Sequence, residues 1–189
     1  MRKIEFKAEN YYHLYNRGVN RQPIFFQDEN WAFFIKRLRK YCQPEFIDII
    51  AYCLMPNHYH LLVYLKTDAL SDTIMHPFGI SYTKAINRQQ KRVGPLFQGP
   101  FKAKHVDQDA YLLHLSRYIH LNPVEAGLVK SPADWPYSSY RDYIGLRSGT
   151  LPQPEIVLDQ FASPADYQRF VEGDDETGMA SIAHLLFDE

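Results

Sequence analysis

The chain is 189 residues long, 46% hydrophobic and 15% aromatic, which is enough to bury a core and excludes wholesale disorder. No stretch approaches the roughly 18 consecutive apolar residues of a membrane-spanning helix, so no span is expected. The net charge of −1 hides an asymmetry: residues 1–150 carry 20 Lys and Arg against 13 Asp and Glu, whereas residues 151–189 carry one Arg against nine acids. A basic body with an acidic end suits a nucleic-acid partner, although acidic ends also serve solubility alone.

Met1 to Glu9 alternate charged and apolar types and lack the apolar centre of a secretory signal. Residues 10–16, rich in Tyr, read as a first strand. Asp28 or Glu29 opens a helix to about Tyr41, with Trp31, Phe34, Ile35 and Leu38 at helical spacing and Pro44 as its stop. Phe46 to Leu54 is a continuous apolar run, expected as a buried strand. Met55-Pro56-Asn57 is a turn signal, and His58 to Leu65 is a second strand, so the two form an antiparallel hairpin. Cys42 and Cys53 match no disulfide or metal pattern and read as small buried hydrophobes of a cytoplasmic protein.

Thr67 to Arg92 has helical character interrupted at His76-Pro77, giving a turn and then a helix over 78–90. Phe101 to Val106 reads as a strand. Asp107 is placed to cap a helix over 108–121, which Pro123 is expected to end. Short helices are expected near 137–143 and 164–172, and the acidic last stretch is expected to pack loosely. The order strand, helix, strand, strand, helix, strand, helix suits an α+β architecture with an antiparallel or mixed sheet.

Three features carry chemistry. Alternation along a strand puts His58 and His60 on one face, roughly 6–7 Å apart, where two imidazoles can share a metal ion. A histidine pair on a half-exposed strand face is the plainer alternative. On the helix over 108–121 and its end, Tyr111, His114, Tyr118 and Asn122 fall on one stripe beside an apolar stripe of Leu112, Leu115 and Ile119. Taken by themselves, Tyr118 suits a core tyrosine and Asn122 a C-cap. The segment 81–105 carries Lys84, Arg88, Lys91, Arg92, Lys102 and Lys104 with no acid. Tyr82, Phe97 and Phe101 are interleaved with them, as a single-strand groove would require, or as a solvated helix face over core aromatics would. Arg17 and Arg21 stand in a loop that could contact phosphate. Asp134-Trp135-Pro136-Tyr137 is either a docking element or core packing.

Together these residues resemble the single-tyrosine HUH transposases, in particular the REP-associated tyrosine transposases. The resemblance rests on Tyr-His-Leu-Tyr-Asn-Arg-Gly (12–18), Met-Pro-Asn-His-Tyr-His-Leu-Leu (55–62) and Tyr-Ile-His-Leu-Asn-Pro-Val-Glu-Ala-Gly-Leu-Val (118–129). Asp-Trp-Pro-Tyr-Ser-Ser-Tyr (134–140) also fits that branch. It implies a ferredoxin-like antiparallel sheet with helices packed on it over residues 1–146; residues 147–189 lie outside the resemblance and read as a small acidic C-terminal appendage. It implies Tyr118 as nucleophile, His58, His60 and Asn122 as metal ligands, and Mg or Mn as the cation. The expected partner is single-stranded DNA with a hairpin, cut and rejoined through a 5′-phosphotyrosine, by a monomer or a homodimer. A hairpin-binding protein without catalysis and a metal-dependent nuclease using water are the competing readings.

Overall fold

The computed structural model describes residues 5–107, 109–173 and 176–186. The first four residues, residues 174–175 and 187–189, and residue 108, where capping by Asp107 would be judged, lie outside the described residues.

Strands β1 (Tyr11–Arg17), β2 (Ile47–Met55), β3 (His58–Leu65) and β4 (Lys102–Val106) form one sheet in the order β2-β3-β1-β4. Every neighbouring pair is antiparallel. Helix α1 (Asp28–Tyr41) links β1 to β2 and helix α2 (His76–Gln89) links β3 to β4. This is the expected ferredoxin-like arrangement, to which helix α3 (Asp109–Glu125) is added.

Strands β1, β2 and β3 bury both faces, which explains the unbroken apolar run of β2. One face sends Tyr12, Leu14, Tyr59, Leu61 and Val63 against Trp31, Phe34 and Leu38 of α1 and Phe78, Tyr82 and Ile86 of α2. The other sends Ile50, Ala51, Cys53, Met55 and Leu62 against Leu112, Leu115 and Ile119 of α3. In β2 the alternation changes phase between Ile49 and Ala51, where a β-bulge shifts the register against β3. Ile47, Ile49, Tyr52 and Leu54 thereby reach the first core, and Ile50, Ala51, Cys53 and Met55 the second.

Helix α1 starts with a reciprocal capping box between Gln27 and Asn30, reinforced by Asp28 and Glu29 at its positive end. Helix α2 begins at His76, with Pro77 in its first turn rather than interrupting it, because a first-turn proline forfeits no helical hydrogen bond. A π-helical turn over Leu70–Met75 leads into it. Both cysteines are buried and free.

Segment 134–140 proves to be packing. The Trp135 indole N–H donates to the Leu54 carbonyl (2.9 Å), and Tyr137 stacks on Trp31 with centroids 4.0 Å apart. Leu54 N–H donates to Tyr137 O and Ser139 N–H to Tyr52 O, which covers the outer edge of β2.

The described part of the C-terminal stretch is not loosely packed. Helices α4 (Tyr140–Tyr143), α5 (Glu155–Leu158) and α6 (Pro164–Glu172) are followed by α7 (Glu176–Ser181) and a 3-10 turn over Ala183–Leu185. Through Val157, Tyr167, Val171, Ile182 and Leu185 this stretch joins the core under α3. Glu155, Asp159 and Glu172 are exposed, and the apolar residues between them are enough to hold the stretch there.

Candidate active site

His58 opens β3 directly after the turn at Asn57, and His60 follows on the same face. Their ring centroids are 5.0 Å apart and the rings are perpendicular. His60 is fully buried and His58 half-buried. Each ring has a partner on Nδ1. His58 Nδ1 lies 2.6 Å from Asn57 Oδ1, while the Asn57 amide nitrogen donates to the Arg21 carbonyl, so Oδ1 is the accepting end. His60 Nδ1 lies 2.9 Å from Nε2 of His13, a third histidine that sequence reading did not single out. Burial pushes the His58 imidazole down to about 4, helped by the nearby Arg17 charge and opposed by Asn122. It pushes His60 well below the ordinary histidine range, with His58 and His13 adding to the effect. Both imidazoles are therefore neutral near pH 7, the form that binds metal.

Helix α3 carries Tyr118 across the sheet to this pair. The Tyr118 ring stands edge-on to His60, with centroids 5.5 Å apart, and edge-on to His13 at 6.3 Å. It is 8% exposed, so the phenol sits at the margin of the core rather than deep inside it. Asn122, one turn on, lies within hydrogen-bonding reach of both His58 and His60. Its amide nitrogen donates to the Tyr118 carbonyl at 2.8 Å.

The expected end of this helix at Pro123 is wrong. The helix runs on to Glu125. A proline near the end costs few hydrogen bonds, and the true stop is Gly127, with φ of +68°. Gly127 N–H donates to Val124 O and Leu128 N–H to Pro123 O, a Schellman motif. Asn122 accordingly keeps helical geometry and faces the same way as Tyr118. The rest of the polar stripe diverges: Tyr111 packs against His184 and His114 against Phe170, both in the C-terminal stretch.

The basic candidates divide between the two faces. Arg17 is directly opposite His58 in the β1–β3 register, and its Nε donates to Gln98. Arg21 is exposed in the loop bonded to Asn57. On β4, Lys102 pairs with Tyr15 and Lys104 with His13, and Lys104 Nζ donates to the Leu186 carbonyl. Lys84 and Arg88 are exposed on α2, on the opposite side of the sheet, with Lys91 and Arg92 in the loop beyond it. Arg92 lies over the Phe26 ring. A groove of about 450 Å³ also lies on that side, between Ile80 and Lys84 of α2 and Phe97 and Phe101. Tyr82 and Phe97 are core residues, not stacking platforms: Tyr82 is fully buried and its hydroxyl donates to the Ile24 carbonyl. Helical and loop spacing could not separate these aromatics from exposed ones.

A family model described as IS200-like transposase matches residues 7–122. The chain belongs to that transposase family. The match begins before β1, ends on Asn122 and contains every histidine and tyrosine of the site. The chain is similar to a Haemophilus influenzae (strain ATCC 51907 / DSM 11121 / KW20 / Rd) protein named as a REP-associated tyrosine transposase. The two are 29% identical over 109 residues, 52% of this chain and 62% of the relative, so the match spans under two thirds of that protein. The fold is similar to a solved REP-associated tyrosine transposase bound to a REP hairpin, with a TM-score of 0.61 and 18% identity, covering 77% of this chain and 85% of that one. Among the described residues no helix is long and apolar enough to cross a membrane.

The residues present fit a divalent cation. Among the described residues no three His, Cys, Asp or Glu side chains form a metal cluster. Two imidazole nitrogens and one carboxamide oxygen instead make a mixed donor set that leaves positions for phosphate and water oxygens, as Mg or Mn requires.

Proposed function

We propose that this transposase cuts and rejoins single-stranded DNA beside a hairpin, with Tyr118 as the nucleophile. The observation that carries the reading is the meeting of the Tyr118 ring with His60 at 5.5 Å, with Asn122 one turn away against the same pair. His58, His60 and Asn122 would hold Mg or Mn, imidazole slightly favouring Mn. When bound, the cation neutralises charge on the scissile phosphate and orients it.

The chain's own residues supply the rest. The Tyr118 oxygen attacks phosphorus and loses its proton; the phosphorus–O3′ bond breaks, and the departing oxygen takes up a proton to become a 3′ hydroxyl. The DNA is left on Tyr118 through its 5′ phosphate. Because phenoxide is a fair leaving group, a 3′ hydroxyl can reverse the step, which is what strand transfer needs. The helix sets the direction of the phenol, and Leu115 and Ile119 anchor that helix in the core. Arg17, Arg21 and Lys102 stand at the end of the sheet where His58 lies and would receive the phosphates flanking the cut. Lys104 lies further along that face, and Lys84, Arg88, Lys91 and Arg92 would reach a duplex stem folded around the sheet edge.

The test is covalent trapping. A labelled single strand carrying a hairpin, incubated with the protein and Mn, is expected to give a denaturant-resistant protein–DNA adduct. Tyr118→Phe should abolish the adduct while retaining DNA binding. An adduct on the Phe variant would refute the assignment, and turnover without any adduct would point to a nuclease using water.

A further inference from the structure

His13 has no place in the reaction above, yet it is fully buried behind the histidine pair and bonded at both ring nitrogens. Its Nδ1 lies 2.7 Å from the carbonyl oxygen of Leu185, 172 residues further along the chain. Its Nε2 lies 2.9 Å from His60 Nδ1. A carbonyl can only accept, so the proton of His13 is on Nδ1. A neutral imidazole carries one ring proton, so His13 Nε2 accepts, and the proton between the two rings belongs to His60 Nδ1. His60 Nε2 is then the nitrogen that keeps its lone pair.

The anchoring carbonyl is itself held. The Leu185 side chain is 1% exposed in the core under α3, beside fully buried Ile182. The next carbonyl, that of Leu186, accepts from Lys104 on β4. The chain of bonds therefore begins in a segment beyond the span matched by the transposase family, residues 7–122.

We propose that His13 is a positioning residue that locks His60 as the Nδ1–H tautomer, presenting Nε2 to a divalent cation, and that the turn over 183–185 sets this lock. Metal-ligating histidines depend on such partners for ring orientation and basicity. The inference rests on reading His60 as a ligand. In an unlocked ring the proton would divide between the two nitrogens, and the fraction carrying it on Nε2 could not bind metal.

Two measurements on the full chain decide it. In long-range proton–nitrogen spectra of the metal-free protein, His60 is expected to show a protonated Nδ1 and an unprotonated Nε2. A protonated Nε2, or an even mixture, overturns the proposal without any variant. Binding of Mn²⁺ alone is then compared in His13→Phe, which removes the acceptor, and His13→Gln, which keeps a side-chain oxygen for His60 Nδ1–H. Affinity is expected to fall about 10–100-fold in the first and to be largely restored in the second. Equal affinity in folded His13→Phe and wild type overturns the lock and leaves the transposase reading standing. The expected tautomer in a wild type that binds no Mn²⁺ removes His60 as a ligand and overturns the proposal through the reading beneath it. If His13→Phe does not fold, the wild-type tautomer and His13→Gln still decide.

Discussion

The Asn122 side-chain amide donates to the Tyr118 backbone carbonyl at 2.8 Å, so the proposed nucleophile and the proposed third ligand share one turn and one hydrogen bond. Substituting Asn122→Ala removes the carboxamide oxygen facing His58 and His60 along with this bond. The variant is expected to need at least about tenfold more Mn for half-maximal adduct formation, a change of the size seen when metal-site partners are lost. Stability should fall by only about 0.5–1.5 kcal/mol. An unchanged Mn requirement would remove Asn122 from the site.

The two histidines should differ in what they do for the fold. His60 is fully buried and bonded to His13, whereas His58 is half-buried and reaches solvent at the start of its strand. In metal-free protein, His60→Ala should cost about 1–3 kcal/mol, because it leaves the buried His13 Nε2 without its donor. His58→Ala should cost less. Both should lose metal-dependent cleavage, and chelator should do the same to the wild type. Denaturant unfolding of the pair of variants checks the order.

Acid should destabilise the protein well above the carboxylate range. Burial holds His13 down to about 4 and His120 down to about 3, against the ordinary 6.5; the charges of Lys104 and Arg147 add to this, while the Leu185 carbonyl opposes it for His13. Below about pH 6.5 the unfolded chain takes up these protons and the folded one does not. Stability is therefore fully present above that pH and is lost as pH falls toward 4, by up to about 1.4 kcal/mol per pH unit for each histidine. His120 is bonded to Tyr167 Oη and Ser139 Oγ in the second core. In His120→Gln the slope of unfolding free energy between pH 6.5 and 4.5 should be shallower than in wild type. An equal slope would show that His120 does not drive the effect.

Gly127 ends α3 in the left-handed region, and a Cβ there would meet no neighbour within 4 Å. The cost of Gly127→Ala is therefore one of backbone conformation alone, about 1 kcal/mol. Thermal unfolding should register it while adduct formation at room temperature stays at the wild-type level. A large loss of activity would mean that the helix end itself carries part of the site.

Salt dependence separates the two basic faces. Replacing Lys84 and Arg88 together by Ala should lower the magnitude of the slope of log Kd against log salt by about two phosphate contacts if DNA reaches α2. An unchanged slope would confine DNA to the face of α3. Arg17→Ala, beside His58, should slow cleavage by more than its share of binding.

Much of this site was legible in local spacing. Two-residue periodicity put His58 and His60 on one face, and the helical turn put Tyr118 above Asn122, because backbone geometry alone sets those relations. The alternation of helices and strands likewise announced the sheet. Other features depended on partners far away in sequence. The polar stripe on α3 could not show which residues meet the histidines and which meet the C-terminal stretch. Tyr82 and Phe97 carried no local mark of burial. Pro123 reads as a stop in the sequence, yet α3 runs on toward Gly127, because a proline's cost depends on how many turns follow it.

The sequence by itself determined the four strands, the approximate course of α1, α2 and α3, and the local spacing of His58 with His60 and of Tyr118 with Asn122, since each follows from periodicity within a few residues. Only the tertiary structure decided that His13 backs His60, that Arg17 faces His58, and that the acidic end closes the core under α3. Those relations are set by strand register and by packing across as many as 172 residues, where no local preference reaches.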